Sequence, residues 1–367
     1  MFVEDLNLTN FRNYDNLKIT FNNKLNIIIG KNAQGKTNIL ESIYYLSITR
    51  PVIFLNEKSI IKNTKDSCSI ISNIHSSDFS FRLKIIITGN GKKLYIDNNE
   101  IKKHSDFIGK LKVVLYTPDS LNLIKLNPSN RRRFLNIGIS QLFTKYINLL
   151  NDFNLVLKQR NEYLKIIKTG KYNIDYLNII NEKFVDLSIK IFKYRKEYIN
   201  QLNLQINKIF MDIFGLSNLS IKYITNISLD EIDDLRLIML NKMNETLKRD
   251  VIYGNTLIGP HKDDFSLVYG NNDIVLYGSQ GQLKLSVLLL KLAEVNVIYQ
   301  VSNSYPVLLL DDLFSELDII NRNKIIKYLE SLDIQTIITT TDLKNISKKL
   351  INNSKIYKIE KGKIVNK

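Results

Sequence analysis

Apolar and polar positions alternate at the start of the chain, with Phe2, Leu6 and Leu8 followed by Leu17, Ile19 and Phe21. A period of two puts one face of a strand in a core, so two antiparallel strands joined through residues 10–16 are expected. Residues 25–29 form an apolar run without alternation, which reads as a buried strand. A glycine-containing loop and a helical pattern over 39–46 follow it. Segments 82–87 and 94–97 flank the turn Gly89-Asn90-Gly91 as a hairpin, and 113–116 is another buried strand. From Ser129 to about Asp250 the texture changes to long helical spacing, as in Tyr146, Leu149, Leu150, Phe153 and Leu157, with few glycines and no proline. These stretches are too short and interrupted for an extended coiled coil. A second hairpin (265–269 and 274–277), a long helix (282–299), strands at 307–310, 336–339 and 356–359, and a helix at 321–329 complete the pattern. The reading is α/β with a mixed sheet: a discontinuous lobe of residues 1–128 and 251–367, interrupted by a mainly helical lobe of residues 129–250.

The chemistry sits where strands end. Gly30-Lys31-Asn32-Ala33-Gln34-Gly35-Lys36-Thr37 fits the eight-residue P-loop pattern between a strand and a helix. Its backbone amides converge on phosphate oxygens, Lys36 reaches the β- and γ-phosphates, and Thr37 is a ligand for Mg²⁺. An ordinary glycine turn is the competing reading, and the flanking strand and helix argue against it. Val307 to Leu310 runs into Asp311 and Asp312, the Walker B arrangement, with Asp311 expected to hold Mg²⁺ and Asp312 to orient the attacking water. Many such ATPases carry Glu at this second position. Asp312 is one methylene shorter, and slow hydrolysis is the implied consequence. Ser279-Gln280-Gly281-Gln282 precedes a long helix and resembles the ABC signature, although Ser279 alone reads as an N-cap. Ser315-Glu316-Leu317-Asp318 falls where a D-loop belongs. In an ABC-type P-loop ATPase head the signature meets the nucleotide of a second subunit, so an ATP-dependent homodimer is expected, with ATP and Mg²⁺ as cofactors.

Composition adds boundaries. A single cysteine, Cys68, excludes an internal disulfide, and His75, His104 and His261 lie too far apart in sequence for zinc-ligand spacing. The N-terminus has no signal-peptide pattern, and no unbroken apolar stretch of membrane-spanning length is seen, so a membrane partner is not expected and the cytoplasm is the simplest address. The net charge of +16 suits a polyanion, DNA or RNA. Heavy use of Lys, Asn and Ile with no Trp produces part of that charge without functional demand, so it serves only as a prior.

Taken together, Asn10-Phe11-Arg12-Asn13-Tyr14, GKNAQGKTNILE, Pro128-Ser129-Asn130-Arg131-Arg132-Arg133-Phe134-Leu135, Gly259-Pro260-His261-Lys262-Asp263-Asp264-Phe265, the Ser279 segment and LLLDDLFSELD resemble the bacterial RecF family over nearly the whole chain. The resemblance implies an SMC-like ATPase head without long coiled coils, whose ATP-driven dimer binds single-stranded and double-stranded DNA at gaps. It also implies partnership with RecO and RecR in loading RecA, in DNA repair, replication, recombination and the SOS response to DNA damage. The stretch Thr339-Thr340-Thr341-Asp342 lacks the switch histidine of many ABC ATPases, and with Asp312 it speaks against rapid turnover. Arg12 is open to a place beside nucleotide or on a hairpin surface. Arg131 to Arg133 read first as packing residues of a helix's opening turn and second as DNA contacts, and His261 to Asp264 as a network between lobes. The alternatives are a DNA clamp with negligible hydrolysis and an ABC transporter subunit, against which the helical insertion argues.

Overall fold

The computed structural model describes residues 1–52, 57–76, 79–170, 173–227, 234–343 and 351–365, with Glu57, Ser315 and Glu316 described in backbone only. Two compact units emerge: Met1–Leu121, Gln205–Asn218 and Gly278–Lys367 form the first, and Asn122–Leu204 with Leu219–Tyr277 the second.

The first unit holds two sheets. Alternation at the N-terminus becomes a seven-stranded antiparallel sheet in the order Tyr14–Thr20, Asp5–Phe11, Ser67–His75, Ser80–Thr88, Gly91–Ile96, Asn99–Ile101, with Phe2–Val3 also on Ser67–His75. The expected first hairpin is present, with its connection shortened to Arg12 and Asn13. The strands without alternation become neighbours in a six-stranded sheet: Leu25–Ile29, Thr336–Thr340, Val307–Leu310 and Val113–Tyr116 are parallel, Ser354–Glu360 joins Leu25–Ile29 in parallel, and Lys363–Val365 closes the edge antiparallel. Strands covered on both faces need no polar alternation, which is why Leu308, Leu309 and Leu310 are all fully buried. Helix Lys36–Ile48 joins both sheets into one core through Ile39, Ile43 and Leu46. Helix Gln280–Ser302 has the length and hydropathy of a membrane span, but Val287, Leu288, Leu289 and Leu290 are buried within the protein. Its apolar character is that of a core helix.

The second unit contains helices Pro128–Leu142, Thr144–Ile167 and Leu235–Tyr253, most of the 41-residue helix Ile174–Phe214, and a small antiparallel sheet of Leu219–Ile224, Asp264–Tyr269 and Asn272–Asp273. Two expectations change here. Leu219–Ile224 is a strand inside the stretch read as helical, and Ile274–Tyr277 is a helical turn rather than the second arm of a hairpin. Pairing stops at Asp273, whose carboxylate accepts the Val275 N–H at 2.8 Å and starts the turn. Because Asp264–Tyr269 pairs with Leu219–Ile224, this segment groups with the helices, and the border of the units falls at 277/278 where the sequence suggested 250/251.

Candidate functional site

Parallel strands bring their carboxyl ends to one edge, where ligands of α/β sheets bind. Gly30, Pro118 and Asp311 arrive there just beyond three of those strands. Gly30 donates its N–H to Thr340 O at 3.2 Å, holding the start of the loop on the sheet. Ala33 (φ 63°) and Gly35 (φ 105°) are left-handed, a backbone course that turns successive amides inward. Glycine is demanded at 35 twice, since a Cβ there would meet Asn13 Nδ2 at 2.5 Å and the Tyr14 hydroxyl at 2.8 Å.

Lys36 leaves the first helical turn and donates to the carbonyls of Gly30 (2.5 Å) and Lys31 (2.9 Å). Burial lowers its pKa, while Asp312 and Asp311 pull it back up. Thr37 Oγ1 donates to both Asp311 carboxylate oxygens, at 2.9 and 3.1 Å, and Thr339 Oγ1 donates to Oδ1 at 2.5 Å. Burial raises the Asp311 pKa against these hydroxyls, and the Asp312 charge adds to the rise. Asp312 itself is left-handed (φ 47°), a conformation aspartate tolerates, and its N–H donates to Thr339 Oγ1 at 3.0 Å. Thr339, in the stretch without a switch histidine, thus braces both aspartates.

These groups face a cavity of about 370 Å³. Of the residues expected to hold nucleotide, Asn32, Ala33, Gly35, Lys36, Thr37, Asp311 and Asp312 line it. Gly30 and Lys31 act through the carbonyls that receive Lys36, and Gln34 faces the C-terminal hairpin, whose Gly362 N–H reaches its carbonyl at 3.2 Å. The cavity wall carries none of Ser279, Gln280, Gly281 and Gln282 among the described residues, and all four are exposed. Ser279 and Gln282 form a capping box on helix Gln280–Ser302: Ser279 Oγ accepts the Gln282 N–H at 3.3 Å and Gln282 Oε1 the Ser279 N–H at 2.8 Å. Asp318 caps helix Ile319–Ser331 by accepting from Asn321 N (2.9 Å) and Nδ2 (2.6 Å), bonds that lower its pKa. The side chains of Ser315 and Glu316 lie outside the described residues.

Asn13 and Asn38, which stood in the quoted segments without a role of their own, and Pro118, which no motif included, also line the wall. Asn38 Nδ2 donates to Asn13 Oδ1 at 2.8 Å and Asn13 Nδ2 to Gln34 O at 3.2 Å. Arg12 forks onto Glu41 of the P-loop helix at 3.0 and 2.7 Å, so its guanidinium is committed to the scaffold. In the second unit Arg131 forks onto Asp264 (2.5 and 2.8 Å), Arg132 donates to Asp263 O (2.7 Å), and Arg195 donates to Pro260 O (2.5 Å) and Asp263 Oδ2 (3.0 Å). The described partners of His261, Asp263 and Asp264 belong to this one unit, and packing accounts for Arg131 and Arg132.

The donor set around Thr37 and Asp311 is all oxygen, as a small hard cation requires, and the buried Asp311 carboxylate favours a counter-ion. Together with the loop it lines a cavity whose donors have the chemistry to receive a polyphosphate and its cation. Fold and cleft define an ABC-type P-loop ATPase head.

The RecF/RecN/SMC N terminal domain family matches residues 2–365. The DNA replication and repair protein RecF of Clostridium acetobutylicum is 39% identical over 366 residues, covering 99% of each chain. That of Streptococcus thermophilus (strain ATCC BAA-491 / LMD-9) is 37% identical over 370 residues, covering 100% of this chain and 99% of the relative. A solved structure of the recombination mediator protein RecF with ATP, in the RecFOR pathway, superposes with a TM-score of 0.91 at 30% identity, covering 99% of this chain and 97% of that one. An Smc head bound to the C-winged helix domain of ScpA shares the fold, with a TM-score of 0.55 at 15% identity. The chain belongs to the RecF family of DNA replication and repair proteins.

Proposed function

We propose that the chain is an ATP-driven DNA-binding switch acting in the cytoplasm: two copies close on ATP and Mg²⁺, grip single-stranded or double-stranded DNA, and with RecO and RecR help load RecA. The observation that carries this reading is the cleft, in which Lys36, Thr37 and Asp311 converge while Ser279 to Gln282 lie exposed outside its wall. Lys36 exchanges its two carbonyl partners for phosphate oxygens, which are stronger acceptors because they are charged. Thr37 and Asp311 hold Mg²⁺, which when bound neutralises β- and γ-phosphate charge. Asp312 orients water from a short side chain, so turnover is slow and hydrolysis resets the switch. Ser279 to Gln282 of a second copy supply helix N-terminal amides to the γ-phosphate. Asp318 follows as the D-loop residue at the same junction.

A mixing experiment tests the shared site. Ser279→Arg and Lys36→Ala each remove one half of it, so neither variant dimerises with ATP alone, whereas a mixture regains one intact composite site per heterodimer. Sedimentation with ATP and ADP reads this out. Dimers that ignore nucleotide, or a mixture no better than its components, would reject the arrangement. A clamp with negligible hydrolysis is a second reading, favoured by the left-handed, Thr339-tethered backbone of Asp312. Steady-state phosphate release with and without DNA separates the two.

A further inference from the structure

Amides that converge on a ligand leave their carbonyls pointing the other way, and those carbonyls need donors of their own. On the outer side of the P-loop they find them in two distant segments. Gln34 O accepts from Asn13 Nδ2 and from Gly362 N, each at 3.2 Å, and Gln34 Oε1 accepts from Lys361 N. Gly35 O accepts from the Tyr14 hydroxyl at 3.0 Å. Lys361 (φ 47°) and Gly362 (φ 72°) are consecutive left-handed residues, the two-residue turn of the hairpin Ser354–Glu360 and Lys363–Val365, and that geometry aims their N–H groups outward at Gln34. The fit has no slack: a Cβ on Gly30 would stand 2.4 Å from Ile359 O.

We propose that the C-terminal hairpin turn, together with Asn13 and Tyr14, clamps the outer side of the P-loop in its phosphate-ready shape, making Tyr14 and Gln34 positioning residues for nucleotide binding. The clamp rests on the ATP reading of the cleft and acts through loop backbone. Nothing in it depends on phosphate contact by these side chains. Fixing the carbonyls in advance spares the ligand the entropy of ordering the loop.

Tyr14→Phe deletes one hydroxyl from a buried ring, and Gln34→Leu deletes one acceptor at similar size. In full-length protein, calorimetric titration with Mg·ATP and Mg·ADP should show each variant weakened about three- to tenfold for both nucleotides, the effect of one lost hydrogen bond. The double variant should multiply the losses, and in Tyr14→Phe kcat at saturating ATP should stay within about twofold of wild type as KM rises. A merely structural role would instead lower the binding-competent fraction and the melting temperature while leaving the Kd of that fraction unchanged, and this result overturns the clamp. Wild type and Lys36→Ala run alongside. If wild type bound no ATP, the cleft reading would fall and take the clamp with it. If wild type bound, Lys36→Ala did not, and the clamp variants matched wild type, the clamp alone would fall.

Discussion

The nucleotide cleft and the interior of the second unit both set basic side chains near aspartates, but they finish the arrangement differently. In the cleft, Lys36 rests on backbone carbonyls, Asp311 is held by hydroxyls, and both face a cavity. In the second unit, Arg160 and Asp250 meet at 2.7 Å with side chains wholly inaccessible to solvent, and Asn181 and Thr256 take further guanidinium hydrogens. Arg195 and Asp263 repeat the scheme, with Tyr223 also on the carboxylate. Charges paired with an opposite charge inside the fold specify structure, whereas charges that face a cavity are accessible to a ligand. Residue type alone does not tell one from the other.

The largest effect should come from breaking the buried ion pair. Arg160→Leu leaves Asp250 buried without its counter-ion and should cost about 3–5 kcal/mol. Lys36→Ala removes a cation that burial already disfavours, so its stability should stay within about 0.5 kcal/mol of wild type while ATP binding is lost. Urea denaturation of the two variants, followed by nucleotide titration of Lys36→Ala, makes the contrast. Equal stability losses would abolish it.

What the sequence disclosed follows the range of the interactions. Strands 25–29, 113–116 and 307–310 were legible to the residue because two-sided burial writes itself as a mostly apolar run, interrupted in 25–29 only by Asn26, whose side chain is satisfied by Asn22. Ser67–His75 escaped notice because its inward positions include Ser72, which is buried but satisfied by donating to Asp5 O at 2.6 Å. Leu219–Ile224 was hidden among helices, since its partner begins only at Asp264. On the cleft wall, the P-loop and the Asp311-Asp312 pair were legible because each is a contiguous stretch of sequence at the end of one strand. The support from Asn13, Tyr14, Thr339 and Gly362 was not, because each reaches its partner across a gap in sequence that no motif spans.

A smaller, pH-dependent effect sharpens the same comparison. His261 Nε2 pairs with Thr256 O at 2.9 Å, its Nδ1 is buried without a hydrogen-bond partner among the described residues, and the ring packs by Phe153 and Phe184. Burial, opposed by the Thr256 carbonyl and reinforced by Lys262, Arg132 and Arg160, lowers its pKa to about 4. The folded value lies below the unfolded one, so the fold favours neutral imidazole. Its contribution is complete above about pH 6.5 and is lost as pH falls towards 4, at about 1.4 kcal/mol per unit. Burial raises the pKa of Asp250 and Asp263, which work in the opposite sense, so the histidine is isolated by difference. Wild type should lose about 2 kcal/mol more than His261→Gln between pH 7 and pH 5. Parallel stability profiles for the two proteins would refute the assignment.

The smallest effect concerns Arg131, which the sequence left between packing and DNA. Four of its five N–H donors are used internally, with two bonds to Asp264 and Nη1 donating to Ile124 O at 2.9 Å and Leu126 O at 2.8 Å. Lysine keeps the charge but cannot make the planar fork, so Arg131→Lys should cost about 1 kcal/mol and leave DNA affinity as it was. Arg131→Gln removes the charge as well. If the residue neutralised a DNA phosphate, the slope of log K against log salt would become shallower by about 1. This geometry predicts an unchanged slope and a lower melting temperature, because four of the five guanidinium donors and the charge itself are already engaged within the fold. A shallower slope in a variant that melts like wild type would move Arg131 from the class of internally paired charges to that of the cleft.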